Sequence, residues 1–142
     1  MSYAQEQATI RKLFLKDWDS NTTPVKFSGE PGLTKGNDSI PDEKGLEEWV
    51  RVTINTSGAS QRDLAGPESR VRYLGVVTIN VFVKSATGAP KRARQLMDLI
   101  DPKFSRIQVE GITFQTPLPG ISGETEGFYQ MTLQMPFYRD SI

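Results

Sequence analysis

The sequence predicts an α+β fold: a mainly antiparallel sheet with two amphipathic helices packed on one face and a long strand hairpin projecting from the core. Three observations carry it. Residues 48–56, 71–84 and 128–139 alternate apolar and polar side chains, the period of a half-buried strand. Residues 2–19 and 85–101 repeat apolar side chains at helical spacing. Polar stretches bearing Gly and Pro separate these runs. The order is α-β-β-β-α-β-β with no repeat and no linker, so residues 1–142 are expected to form a single domain.

The first helix spans 2–19. Ser2 and Gln5 have the spacing of a capping box, in which each side chain takes a backbone N–H left free at a helix start. Ile10, Leu13, Phe14 and Trp18 form its apolar stripe, and Asn21, Thr22, Thr23 and Pro24 end it. VKF (25–27) is a short strand, and 28–47 a long loop. In EWVRVTINT (48–56), Val50, Val52 and Ile54 share the core-facing parity. Trp49 takes the other, and is either exposed or in an interface. The loop 57–70 holds Gly58, Gly66 and Pro67 with only Leu64 to anchor it, so it is expected to be mobile in an isolated subunit.

In VRYLGVVTINVFVK (71–84), Val71, Tyr73, Val77, Ile79, Val81 and Val83 fall on one parity, with Gly75 the only gap. The second helix starts with Pro90 in its first turn and buries Ala93, Leu96, Met97 and Ile100. Lys91, Arg92 and Arg94 lie near its N-terminus, where cations oppose the helix dipole. They form either a solvated face or a contact surface. RIQVEGITFQT (106–116) is one strand broken at Gly111 or two short ones, and 117–127 is a third loop. FYQMTLQMPFYR (128–139) closes the chain with Tyr129, Met131, Leu133, Met135 and Phe137 inward. Pro136, which has no N–H, is expected at a sheet edge or a bulge.

At about 3.3 Å per residue the strand 71–84 runs about 45 Å, whereas strands of about 5–6 residues are usual. Two helices cannot shield that length, so the 48–56/71–84 hairpin is expected to pack on a neighbouring subunit.

Lys plus Arg and Asp plus Glu number 17 each, so net charge draws the chain to neither nucleic acid nor membrane. No apolar run reaches the roughly 20 residues of a membrane helix. The first residues lack the apolar core of a secretory signal, which predicts synthesis and residence in a cytoplasm. The chain has no cysteine and no histidine. Disulfides, thiol nucleophiles, thiolate zinc sites, His-bearing metal centres and Ser-His-Asp triads are therefore excluded. Asp38, Asp42, Glu43, Glu47 and Glu48 cluster, and Asp42-Glu43-Lys44 has the D-x-K spacing of one part of a magnesium-dependent nuclease site. It falls in a loop between Pro41 and Gly45, without the strand such a site needs, and reads as a solvated acidic loop. No EF-hand, phosphate loop or dinucleotide fingerprint occurs. The chain is expected to be no enzyme and to hold no cofactor or metal.

The N-terminal amphipathic helix, TTPVKFSGEP, the strand-loop-strand through EEWVRVTINT and VRYLGVVTINVFVK, the helix after GAPKRARQLMDLI and the closing GFYQMTLQMPFYR resemble the tail terminator, or tail completion, proteins of long-tailed bacteriophages. The resemblance spans nearly the whole chain and lies in its layout, with no diagnostic motif. It implies a minor structural protein of the virion tail, made in the host cytoplasm. Such a protein is a homo-hexamer when assembled, with a monomeric free form, and caps the tail tube in head–tail joining. Its partners would be the tail tube protein and the head–tail connector protein, with no membrane and no sequence-specific nucleic acid. Trp49, Arg62, Asp63, Arg70, Arg72, Arg92 and Arg94 are the candidate residues for a subunit or tube interface. Head-completion or neck proteins and tail-tube subunits share these traits. A non-enzymatic ligand-binding module using the long loops is the other class left open.

Overall fold

The computed structural model describes residues 2–18, 23–35, 38–40, 45–61, 71–120 and 122–141. Helix α1 runs Tyr3–Leu15. The Ser2 hydroxyl accepts from the Gln5 N–H at 3.1 Å, and the Gln5 side chain accepts from the Ser2 N–H at 2.8 Å. This is the expected capping box. Ile10 and Phe14 are fully buried on the expected stripe, with Leu13 and Trp18 at its margin. The helix ends earlier than the stripe predicts, because Lys16 turns extended and Asp17 adopts φ 56°. Trp18 reaches Phe14 from outside the helix, ring centroids 5.0 Å apart, and donates its indole N–H to the Thr23 carbonyl at 3.2 Å.

Ten strands and one more helix follow: β1 (Val25–Phe27), β2 (Leu33–Lys35), β3 (Asp38–Ile40), β4 (Glu48–Gln61), β5 (Val71–Lys84), α2 (Ala89–Phe104), β6 (Gln108–Val109), β7 (Ile112–Phe114), β8 (Leu118–Pro119), β9 (Gly123–Thr125) and β10 (Phe128–Ser141). They form one sheet in the order β3-β2-β1-β4-β5-β10-β7-β6, with β8 and β9 also on β10. The architecture is α+β and the sheet mostly antiparallel. Its centre is three strands of 14 residues each. β5 pairs with β4 from Glu48↔Val83 to Gln61↔Val71, and with β10 from Phe128↔Lys84 to Ser141↔Val71. The expected hairpin therefore has β10 along its full length.

The two helices lie on one face of this sheet. At the far end the Tyr3 ring meets Tyr73 edge-on at 5.6 Å; further along, Phe14 meets Phe27 at 6.1 Å. α2 lies over β5 and β10 and ends with Phe104 against Phe114 at 5.2 Å. Phe14 and Phe104 join the two helices at 6.3 Å. Since α1 begins at Tyr3, the last pairs of the hairpin run on past it. Between the helices and the sheet lie Val50, Val52, Val77, Ile79, Val81, Met131, Leu133, Met135 and Phe137, the parity that the sequence assigns to the core; Ile54 and Leu13 are only partly buried. The gap at Gly75 is filled from the next strand. A Cβ there would sit 2.3 Å from Phe137 Cζ and 2.9 Å from the Asn55 carbonyl oxygen, so the ring lies where a side chain would be.

Several expectations are corrected. The strand predicted at 48–56 continues to Gln61, taking residues 57–61 from the predicted loop, and a bulge between Thr56 and Gly58 absorbs Ser57. The rest of that loop, 62–70, lies outside the described residues. The long loop 28–47 contains β2 and β3, whose three-residue length leaves no period to read. β1 pairs parallel to β4, Val25↔Val50 to Phe27↔Val52, and 28–47 supplies the crossover that a parallel pair requires. α2 continues through Pro102 to the fully buried Phe104. At the last turn a proline forfeits one N–H, and the aromatic contact holds the turn. Pro136 is in an interior strand, paired with Val76. Its carbonyl accepts from Gln115 N–H at 2.9 Å, so its missing N–H falls on the outer side of β10, between β7 and β8. The run 106–116 is two strands around Glu110 (φ 46°) and Gly111 (φ 85°); Glu126 (φ 50°) and Gly127 (φ 83°) make the same turn before β10. Left-handed values at both central residues are those of a two-residue hairpin.

Candidate functional site

The sheet has two unlike faces. Opposite the helices, residues of the other parity are mainly polar and half-exposed: Arg51, Thr53, Thr78, Arg72 and Tyr138, with Asn55, Gln134 and Leu74 more open. Antiparallel sheets tolerate such a wet face. Within it Asn80 is buried, its carbonyl oxygen accepting from Thr132 Oγ1 at 2.9 Å and Gln130 Nε2 at 3.1 Å.

The candidate interface residues fare differently. Trp49 is on the predicted parity but is not exposed: it lies flat on Phe82 with ring centroids 4.2 Å apart, and Leu33 joins the pair in a small cluster. The expectation of an exposed tryptophan is corrected by β2, an element the sequence does not announce. Its indole N–H has no hydrogen-bond partner among the described residues.

Arg72 makes a bidentate pair with Asp140, directly opposite it on β10, at 2.8 and 3.0 Å, and its guanidinium lies 4.0 Å from the Tyr138 ring centre. Those hydrogen bonds push its pKa above the ordinary arginine value. Arg92 makes a second bidentate pair, 2.9 Å to each oxygen of Glu48, whose carboxylate also accepts from Thr23 Oγ1 at 2.7 Å. Burial alone would raise the Glu48 pKa; the hydrogen bonds from Arg92 and Thr23 and the Arg92 charge outweigh it and hold the carboxyl below its usual range. Arg92 therefore ties the first turn of α2 to the start of β4. Arg94 is exposed. Arg62, Asp63 and Arg70 lie outside the described residues. The structure does not bring the described candidates together: Arg72 is at the far end of the sheet, Trp49 and Arg92 at the near end.

One constellation escapes the sequence altogether. Glu6 and Arg139 form a buried ion pair, both side chains 3% exposed, with Glu6 Oε2 2.5 Å from Arg139 Nε. Arg139 also lies 4.2 Å from the Tyr73 ring centre and 5.2 Å from that of Tyr3. The pair fastens the first turn of α1 to the last strand, β10. Glu6 in a first helical turn reads as a partner of the helix dipole, and Arg139 as a polar chain end, so neither carries a signal of burial. Among the described residues no group of three or more metal-binding side chains occurs, and no helix is long and apolar enough to cross a membrane.

No protein-family model and no curated protein matches the chain. A solved structure whose name states no function matches 100% of this chain and 97% of its own, with TM-score 0.66 and 20% sequence identity. At that identity the likeness shows the fold alone.

Proposed function

We propose that this chain is a tail terminator of a long-tailed bacteriophage. In this reading it is a non-enzymatic virion protein that caps the tail tube as a hexameric ring, ends its polymerisation and provides the surface that joins the head. The observation that carries the reading is the β4–β5 hairpin of 14-residue strands running past the helices, in a chain laid out as the family's is. Such a hairpin, with a mainly polar sheet face opposite the helices, gives each subunit something to lay on the next. A head-to-tail contact that closes by rotation makes a ring, and a ring sits coaxially on a tube. The partners are then the tail tube protein and the head–tail connector protein, and the place of action is the virion tail after synthesis in the host cytoplasm. No membrane, cofactor or sequence-specific nucleic acid enters the role.

The test is deletion of the gene in the parent phage, followed by electron microscopy. Overlong, unattached tails are expected. Normal tails on filled heads would overturn the reading, and tails of normal length that fail to join heads would assign the chain to the neck or connector proteins instead.

A further inference from the structure

The two edges of β4 have different fates. One is paired with β5 throughout. The other pairs with β1 only from Val50 to Val52, and the Ser28 N–H donating to the Val52 carbonyl at 2.9 Å is the last bond on that side among the described residues. From Thr53 to Gln61 no described strand pairs with this edge. Its sequence, TINTSGASQ, contains no charged residue and no proline, the side chains that usually blunt an exposed edge. The outer edge of β10, by contrast, is covered: β9, β8 and β7 follow one another along it, and β8 ends in Pro119.

The backbone directions on the open side follow from the bonds already made. The Val50 N–H donates to Pro24 and the Val52 carbonyl accepts from Ser28, so Ile54 and Thr56 turn their N–H and C=O the same way. The bulge between Thr56 and Gly58 shifts the alternation by one, and beyond it Ala59 and Gln61 face outward.

We propose that two copies of this chain pair through this edge, antiparallel, across a two-fold axis at Ser57 and Gly58. Rotated by the axis, the outward series 54, 56, 59, 61 reads 61, 59, 56, 54. Ile54 then faces Gln61 of the second copy, and Thr56 faces its Ala59. Each open donor meets an acceptor, and no side-chain charge in the stretch opposes the approach. The bulge selects the occupant. Against a regular strand it would throw one half of the edge out of register, whereas two identical bulges on the axis keep both halves matched. β1 sets the limit, because the series stops at Ile54 and leaves Ser28 on Val52 undisturbed. The pairing concerns the free chain, in place of the monomer the resemblance implies, and stands whether or not the chain is a tail terminator.

Sedimentation velocity of the full chain should show a dimer that dissociates on dilution. Ala59→Pro removes one outward N–H without touching the β5 ladder, and Ala59→Lys places a charge on the edge with the N–H kept. Both should sediment as monomers with the wild-type circular dichroism spectrum. Because the chain has no cysteine, Ser57→Cys gives a single thiol beside the axis, which should form an interchain disulfide on oxidation and lose it when combined with Ala59→Lys. A wild type that stays monomeric at every concentration would overturn the proposal. So would a dimer that survives Ala59→Lys, or one in which Ser57→Cys fails to crosslink on oxidation.

Discussion

On one face of the sheet, Phe14, Phe104, Phe114 and Phe137 follow one another at 6.3, 5.2 and 5.7 Å between two helices and β10. On the other, Trp49 lies on Phe82 with Leu33 as the third buried member of the cluster. Both assemblies bury large rings. The first is tied to both helices and all three long strands, so removing any member leaves a void that rigid neighbours cannot close. The second takes one of its three members, Leu33, from a three-residue strand near the sheet's edge, which can settle inward when a side chain is lost. The same area of ring therefore contributes differently according to what encloses it.

The largest effect should come at the end of the helix face, where the buried charge pair sits. Glu6→Gln removes one of two buried opposite charges and should lower stability by about 3–5 kcal/mol in urea unfolding. Adding Arg139→Met should recover much of that loss. If the single change were neutral, the pair would be a bystander of the helix packing.

Ile79→Ala, at the centre of the helix face and fully buried, should cost about 2–5 kcal/mol. Leu33→Ala on the other face should cost less, about 1–2 kcal/mol, because its site can collapse. Equal costs in matched denaturation curves would mean that the two clusters unfold as one core.

Gly75→Ala sharpens the comparison from within the helix face. The added methyl meets the Phe137 ring and the Asn55 carbonyl, and should cost about 1–3 kcal/mol as overpacking. Phe137→Leu in the same chain should relieve part of it. An indifferent melting curve would show that the ring moves aside freely.

The smallest effect concerns pH. Glu48, one-fifth exposed, has its folded pKa held below the ordinary carboxylate value, so the unfolded chain binds its proton first. Its contribution is complete above the unfolded pKa and fades as the pH falls through the folded one. Acid titration of the melting temperature should show this loss, and Arg92→Met should flatten it. A difference between the two chains that appeared only above neutrality would contradict the assignment.

Legibility followed the range of the interactions. The Ser2–Gln5 box, the stripe of Ile10 and Phe14, the first turn at Pro90 and the inward parity of Val77, Ile79, Val81, Met131 and Leu133 were readable because each is encoded within a few residues. The bulge at Ser57 was not, since it depends on which residue of β5 lies opposite. Trp49 announced its parity and not its cover, because Leu33 comes from a strand too short to have a pattern. The partnership of Glu6 with Arg139 was hidden by the whole length of the chain between them. For the candidate interface, residue type pointed to arginines, but bidentate geometry had already committed Arg72 to Asp140 and Arg92 to Glu48.

The sequence by itself determined the α+β class, the three long alternations, both helices and which side of each faces inward. Hydrophobic period is a local property, written wherever a strand or helix must bury one side. Only the tertiary structure decided that β1 runs parallel to β4, that β10 rather than a loop lies along the long hairpin, and that Phe137 fills the space above Gly75. It also decided that, among the described residues, one edge of β4 stays unpaired beyond Val52 while the outer edge of β10 is covered. Those outcomes depend on pairing between segments far apart in the chain, where many registers satisfy the same local pattern and mutual fit of backbone and side chains selects one.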